Sequence, residues 1–318
     1  MDKQSPILVV GAGSVGERHI QNLLHAGYTD IHVLRRAAGP MRQVDAQLVT
    51  THINKEEVAH CVCAIICNPT SLHAETTKWC LSQGMHVLVE KPLSHTLAHL
   101  DEIQLLAKQN NLVVQVAYMM RYHPHLQLIA SIIRDKTYGS LQRMETYWGS
   151  YLPDWHPWED YRSSYVALKD LGGGVALTLS HDLDVVNWLA QTPVLTYAKK
   201  YAYSNELNIE TEAIADFDIR YQNGIEAHVH MNLLDKPQKR RYQFQFEQAD
   251  ISLDFFSAEM HIETKTGTIK DIIPDFDRNN LFVDELQDFL NRISRTENHN
   301  QFTAQQIRDS ITIIDMCI

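Results

Sequence analysis

Nowhere in the 318 residues does an uninterrupted apolar run reach eighteen residues, so no segment reads as a helical membrane span. The opening stretch, MDKQSPILVVGAG, turns to glycine after a few apolar residues. That pattern predicts no secretory leader and a cytoplasmic address. Positive charge is in deficit: 28 Lys and Arg stand against 39 Asp and Glu, a net charge of -11. Nucleic acid and anionic membrane need a positive field, so neither is expected as a partner. Cysteine is scarce as well, and the odd count of five predicts reduced thiols in place of a disulfide framework. Three of the five, Cys61, Cys63 and Cys67, crowd into CVCAIIC. Their even spacing puts them on one face of a buried strand, where they act as small hydrophobes. The 17 histidines include no HExxH and no compact His/Asp set, so no metal site is expected.

What is present is an alternation. PILVV leads into GAGSVG and then ERHIQNLLHAG, whose apolar residues recur at helical spacing. DIHVLRR, VCAIICNP, HVLVEKP and LVVQVAY read as further strands, with helices over SLHAETTKWCLSQGM and HTLAHLDEIQLLAKQNN. Strands alternating with helices predict a doubly wound parallel sheet, a Rossmann domain over residues 1–121. After it the texture changes. A helix near PHLQLIASIIRD, the strand LQRMETYWGSY, an aromatic loop and a helix from about Gly174 to Ala190 precede five strand-like runs between residues 195 and 256. Two helical segments close the chain. Residues 122–318 are thus expected to form one α+β domain with a large, mostly antiparallel sheet. The overall class is α/β.

Three local motifs carry chemistry. Gly11-x-Gly13-x-x-Gly16 follows a strand and opens a helix at Ser14 and Val15, the setting in which glycines let a pyrophosphate approach the helix N-terminus. At the end of the second strand stand Arg35 and Arg36, with no carboxylate to accept from an adenosine ribose; Asp30 lies at the strand's other end. Arginine can pair with a 2'-phosphate, so the cofactor is expected to be NAD(P) with NADP favoured. Glu90-Lys91-Pro92 follows a strand whose carboxyl end is where ligands bind in such sheets. An ammonium there can hold a substrate hydroxyl and stabilise the charge that develops as hydride leaves.

In order along the chain, GAGSVGERH, ICNPTSLHAE, EKP, MMRYHP and GGG…SHDLD…WL resemble the Gfo/Idh/MocA family of NAD(P)-dependent oxidoreductases. The resemblance covers nearly the whole chain. It implies a Rossmann domain, a C-terminal substrate and oligomerisation domain with an open sheet, a small-molecule sugar or sugar-like substrate, and homodimers or homotetramers. Residue by residue, it makes Lys91 the substrate-hydroxyl contact and His181 the proton-transfer group. Asn68, Pro69 and His73, with Glu90, fall in the cofactor cleft, and Arg121 in the substrate site. Many members carry an aspartate three or four residues before the histidine; here those positions are Thr178 and Leu177. Asp184, one turn after His181, could support it or be structural. The loop YLPDWHPWEDYRSSYVALKDLGGG is similar to a branch of the family found with acidic and acylamino sugars. Trp155, Tyr161, Arg162, Tyr165 and Lys169 are its candidate sugar contacts, and Thr178, outside the loop, is a further substrate-site candidate.

The function these readings favour is oxidation or reduction at a CH–OH carbon of a sugar, amino-sugar or nucleotide-sugar derivative. Redox-assisted elimination or epimerisation on a retained cofactor is the alternative on the same fold, and a non-catalytic cofactor-binding sensor is the alternative from another class. A metal-dependent hydrolase ranks last, for want of a ligand motif.

Overall fold

The computed structural model describes residues 1–37, 39–295 and 299–318. The chain forms two compact units. One comprises Met1–Tyr118, Asn279–Met316 and Ile318, the other Met119–Arg278 and Cys317.

In the first unit β1 (Ile7–Val10), α1 (Ser14–His25), β2 (Ile31–Leu34), β3 (Thr50–His52), β4 (Cys63–Ile66), α2 (His73–Ser82), β5 (His86–Glu90), α3 (Leu100–Gln109) and β6 (Val114–Ala117) alternate along the chain. The sheet order is β3-β2-β1-β4-β5-β6, all pairs parallel. Chain direction across the sheet reverses between β1 and β4, the topological switch point of a doubly wound fold. Strands buried on both faces explain why ILVV and CAII are continuous apolar runs. Helix α3 begins five residues later than the expected helix, because His99 sits in the left-handed region at φ 71°.

In the second unit α4 (Pro124–Asp135), β7 (Leu141–Gly149), α5 (Val175–Thr178), α6 (His181–Ala190), β8 (Val194–Ala202), β9 (Ile214–Tyr221), β10 (Glu226–Asn232), β11 (Lys239–Phe246), β12 (Ala249–Asp254), β13 (Glu259–Thr264) and β14 (Gly267–Ile272) follow in turn. The eight strands run in the order β14-β13-β12-β11-β7-β10-β9-β8, antiparallel except for the parallel pair β7 and β10. Alternating burial along β9, β11 and β12 gives the sheet one apolar face. β14 has every residue exposed, so it lacks the apolar alternation by which the other strands are read. The single helix expected from Gly174 to Ala190 is two, α5 and α6, separated at Leu179 and Ser180. His181 therefore heads a helix instead of lying within one.

The two closing helices, α7 (Asn279–Ser294) and α8 (His299–Cys317), were expected in the second domain and instead complete the first. Leu286, Phe289 and Leu290 of α7 share a core with Ile7, Val9, Ile20, Leu23, Ile31 and Val33. α8 meets the edge strand β6. Thr303 Oγ1 accepts from the Val114 amide and Gln306 Oε1 from the Val116 amide, each at 3.0 Å. A sheet edge buried under a helix needs such partners for its amides.

Candidate functional site

Each unit holds chemically equipped residues that the sequence motifs single out. In the first, they lie where β1, β2, β4 and β5 end. Register pairs Val10 with Leu34 and Ile66, and Ile66 with Val89. The residues that follow, Gly11, Arg35, Asn68 and Lys91, thus share one edge of the sheet. Gly11 has φ 92°, and a β-carbon there would lie 2.9 Å from the Cys67 carbonyl oxygen; one on Gly16 would lie 2.1 Å from the Gly11 oxygen. These two glycines are required by packing. Gly13 is different: a β-carbon there would meet nothing within 4 Å, and Gly13 caps α1. The open space above a helix N-terminus is where an anion is held by backbone N–H groups. Beside it, Asn68 Nδ2 donates to Thr76 Oγ1 at 2.9 Å. Its Oδ1 is buried with no hydrogen-bond partner among the described residues. A dinucleotide would fit this edge, with open space over the glycine turn for a pyrophosphate and the orphaned Asn68 acceptor for a donor.

His73 ties the cleft segments together. Its Nδ1 lies 2.7 Å from the Pro92 oxygen and its Nε2 2.8 Å from the Asn68 oxygen. Burial holds the imidazole below its ordinary range, although both backbone contacts favour the proton. Glu90 faces two ways. Burial raises its carboxyl, but His19 Nε2 at 3.1 Å, with Lys91 and His73 nearby, brings the net value below the usual carboxylate range. An ionised Glu90 in turn keeps Lys91 beside a negative charge. Pro69 caps the turn that leads into α2. Arg35 is half-buried and donates from Nη1 to the Gly39 oxygen at 2.7 Å, while Arg36 is exposed.

In the second unit His181 is 5% exposed and lies beside Trp148 of β7, ring centroids 6.2 Å apart. Thr178, buried, ends the preceding α5. Arg121 makes a bidentate pair with Asp184, Nε to Oδ2 at 2.9 Å and Nη2 to Oδ1 at 2.6 Å. Both carboxylate oxygens of Asp184 thus accept from Arg121, which gives that aspartate a structural role. In the aromatic loop, Trp155 Nε1 donates to Ser150 Oγ at 2.8 Å and Tyr161 donates to the Leu207 oxygen at 3.0 Å. Arg162 is exposed and forks onto Asp160, Tyr165 is half-buried, and Lys169 is exposed with its amide on Glu210.

Sequence reasoning missed the residues that hold α6. Asp182, fully buried, accepts from Arg240 Nε at 3.1 Å, from Arg240 Nη2, and from Tyr242 at 2.8 Å. The Arg240 guanidinium lies 3.9 Å from the centre of the Trp148 ring, the same ring that neighbours His181. Burial opposes the Arg240 charge, yet Asp182 and Tyr242 more than restore it, so the arginine stays firmly protonated. The signal was available. In KRRYQFQF the buried phase is Arg240, Tyr242, Phe244 and Phe246, a charge on the apolar face of an alternating strand.

Comparison with known proteins matches two stretches of the chain. Residues 6–118 match the model of an oxidoreductase family with an NAD-binding Rossmann fold, and residues 126–252 match the GFO/IDH/MocA C-terminal domain. The UDP-N-acetylglucosamine 3-dehydrogenase of Acidithiobacillus ferrooxidans is 23% identical over 302 residues, 90% of this chain and 88% of that one. Its solved structure superposes with a TM-score of 0.75 at 18% identity, covering 99% of each chain. A levoglucosan dehydrogenase in complex with NADH superposes with a TM-score of 0.82 at 14% identity, over 99% of this chain and 96% of that one. The 4-carboxy-2-hydroxymuconate-6-semialdehyde dehydrogenase of a Sphingobium strain is 30% identical over 132 residues; they make up 39% of this chain and 41% of that one.

Proposed function

This chain belongs to the Gfo/Idh/MocA family of oxidoreductases, and on that premise we propose that it transfers hydride between a nicotinamide dinucleotide and a CH–OH or carbonyl carbon of a sugar, amino-sugar or nucleotide-sugar derivative. The observation that carries the reading is the edge formed by Gly11, Gly13, Asn68 and Lys91, with open space over Gly13 and an orphaned acceptor on Asn68. Relatives that act on UDP-N-acetylglucosamine and levoglucosan support the sugar class. The dinucleotide supplies the hydride acceptor or donor when bound. Gly11 to Gly16 with the first amides of α1 would hold its pyrophosphate, and Asn68, in the segment fixed by His73, would offer it a hydrogen-bond acceptor. Lys91 holds the reacting hydroxyl through its ammonium, and His181 takes or returns the hydroxyl proton. We assign NADP as the preferred form because Arg35 and Arg36 follow β2 where a ribose-binding carboxylate would stand. The chain is further assigned as a homodimer or homotetramer that pairs through the exposed sheet face.

The test is a set of oxidations and reductions of sugars and nucleotide-sugars, followed by nicotinamide absorbance, for wild type and His181→Ala. Turnover in the variant should fall about 10²–10⁴-fold with cofactor affinity kept. Turnover unchanged in His181→Ala removes that residue from the chemistry. Product formed with no net nicotinamide change makes the reaction a redox-assisted elimination or epimerisation. Binding of NADPH no tighter than NADH overturns the cofactor preference.

A further inference from the structure

On the first unit, away from the glycine turn, three side chains far apart in sequence converge. One ligand atom from each of His32, His60 and Cys61 lies within 4.8 Å of the others. His32 is the second residue of β2, and His60 and Cys61 precede β4. His60 Nε2 is 3.4 Å from His32 Nε2, and Asp30 Oδ1 is 3.0 Å from the same His32 nitrogen. Two imidazole nitrogens on one tetrahedral zinc ion stand roughly 3.3–3.4 Å apart, given Zn–N bonds of about 2.0–2.1 Å. The observed pair already has that spacing.

Proton counting sharpens the point. His32 Nδ1 lies 2.9 Å from His52 Nε2, and His52 Nδ1 lies 2.8 Å from Glu57 Oε2. The row Glu57, His52, His32, Asp30 contains three close contacts and ends in a carboxylate at each side. Each contact needs one N–H proton, since an ionised carboxylate only accepts, but two neutral imidazoles supply two. With Nδ1–H of His52 on Glu57 and Nδ1–H of His32 on His52, the lone pair of His32 Nε2 points at the Asp30 carboxylate. A proton or a metal ion between them removes that repulsion, and the neighbouring His60 Nε2 and Cys61 Sγ supply the further donors a metal ion needs. The same proton arrangement is the one that metal-bound histidines adopt, the second ring N–H being directed to a carboxylate directly or through a relay. His32 and Cys61 are buried, at 8% and 4% exposure, while His60 is exposed, so the cluster has a fixed base and an entry side.

We propose that His32, His60 and Cys61 form a binding site for a divalent transition-metal ion of zinc type, with Asp30 beside His32 as a charge partner and the His52–Glu57 relay orienting His32. Mixed imidazole and thiolate donors select zinc over magnesium or calcium, which take oxygen ligands. The site lies at the amino end of β2, whereas the dinucleotide edge lies at its carboxyl end. It does not depend on the dehydrogenase reading.

The experiment is calorimetric titration of chelator-treated, full-length protein with zinc alone, and titration with cobalt(II) followed by absorption. Wild type, His60→Ala, Cys61→Ser and the exposed control His25→Ala are compared. One zinc per chain is expected in wild type and His25→Ala, weakened at least about tenfold in His60→Ala and Cys61→Ser. The cobalt form should show thiolate-to-metal charge transfer that Cys61→Ser abolishes. His60 is exposed, so its variant tests the site without disturbing the core. Absence of stoichiometric zinc in wild type, or equal affinity in His60→Ala, overturns the proposal. Because no readout is activity, failure here leaves the dehydrogenase reading standing, and failure of that reading leaves the metal site standing.

Discussion

Arg240 shows at the residue scale how a charge is kept inside the second unit. It is 1% exposed, pairs with fully buried Asp182 and lies over Trp148. Breaking such a pair by removing one partner leaves the other charge uncompensated, at a cost of about 3–5 kcal/mol. Arg240→Met should therefore lower the urea midpoint sharply, and Arg240→Met with Asp182→Asn should recover part of the loss. If the double variant is no more stable than the single one, the cost comes from lost stacking on Trp148 and not from the stranded carboxylate. The pair also bears on His181, which precedes Asp182 in α6 and shares Trp148 with Arg240. Arg240 and His181 thus flank the same ring. The apolar phase of KRRYQFQF already marked Arg240 as inward, but only the register of β11 against β7, with Arg240 opposite Trp148, says what it meets.

Elements impose different demands on residues of one type, and the glycine turn between β1 and α1 separates them. Gly16→Ala would drive a β-carbon to 2.1 Å from a backbone oxygen, so it should destabilise the fold. At Gly13 φ is -76° and a β-carbon meets nothing, so Gly13→Ala should leave stability unchanged or raise it by about 0.4–1 kcal/mol. The same methyl would enter the space assigned to the pyrophosphate, and dinucleotide affinity should fall. Thermal melts and cofactor titrations of the two variants check both halves; full cofactor affinity in Gly13→Ala would move the pyrophosphate elsewhere. The edge strand β6 gives a second element-level case. Thr303→Val keeps the shape of the side chain but removes the acceptor of the buried Val114 amide, which should cost about 1–3 kcal/mol in chemical denaturation. A cost near zero would mean that the amide finds another partner.

Acid sensitivity belongs to the whole molecule, since each unit holds a histidine, half-buried His86 in the first and buried His123 in the second, that resists protonation. Burial, with His299 nearby, pushes His86 of the first unit down to about 4. Its Nδ1 accepts from the Val113 amide at 3.0 Å, a contact that requires the neutral ring. Burial, with His125 and Arg240, pushes His123 of the second unit down to about 3, and neither of its ring nitrogens has a hydrogen-bond partner among the described residues. In the unfolded chain both titrate near the ordinary value of about 6.5. Folded values below unfolded values mean that the unfolded state binds more protons under acid conditions. The stabilisation is complete above about pH 6.5 and is lost as pH falls toward the folded values. Denaturation midpoints should therefore drop from about pH 7 to about pH 5, and His123→Phe, a ring that cannot titrate, should make the slope shallower. An unchanged slope in that variant would assign the acid response to other groups.

Much of this architecture was legible in order and periodicity alone. The glycine turn, the β-strand and helix alternation and the positions of Lys91 and Asn68 at strand ends are local statements, because a turn or a strand end is set by residues within a few positions of it. The family resemblance rests on the same short motifs. Three things were decided only by the tertiary structure. An amphipathic helix shows that one face is buried but not against what, so α7 and α8 could be read correctly as helices and still be placed in the wrong unit. The break between α5 and α6 puts His181 at a helix start. The cluster of His32, His60 and Cys61 spans almost thirty residues and has no spacing motif, because strand order brings its parts together. Contacts between distant residues depend on sheet order and register, and that information is carried by the packing of the whole chain.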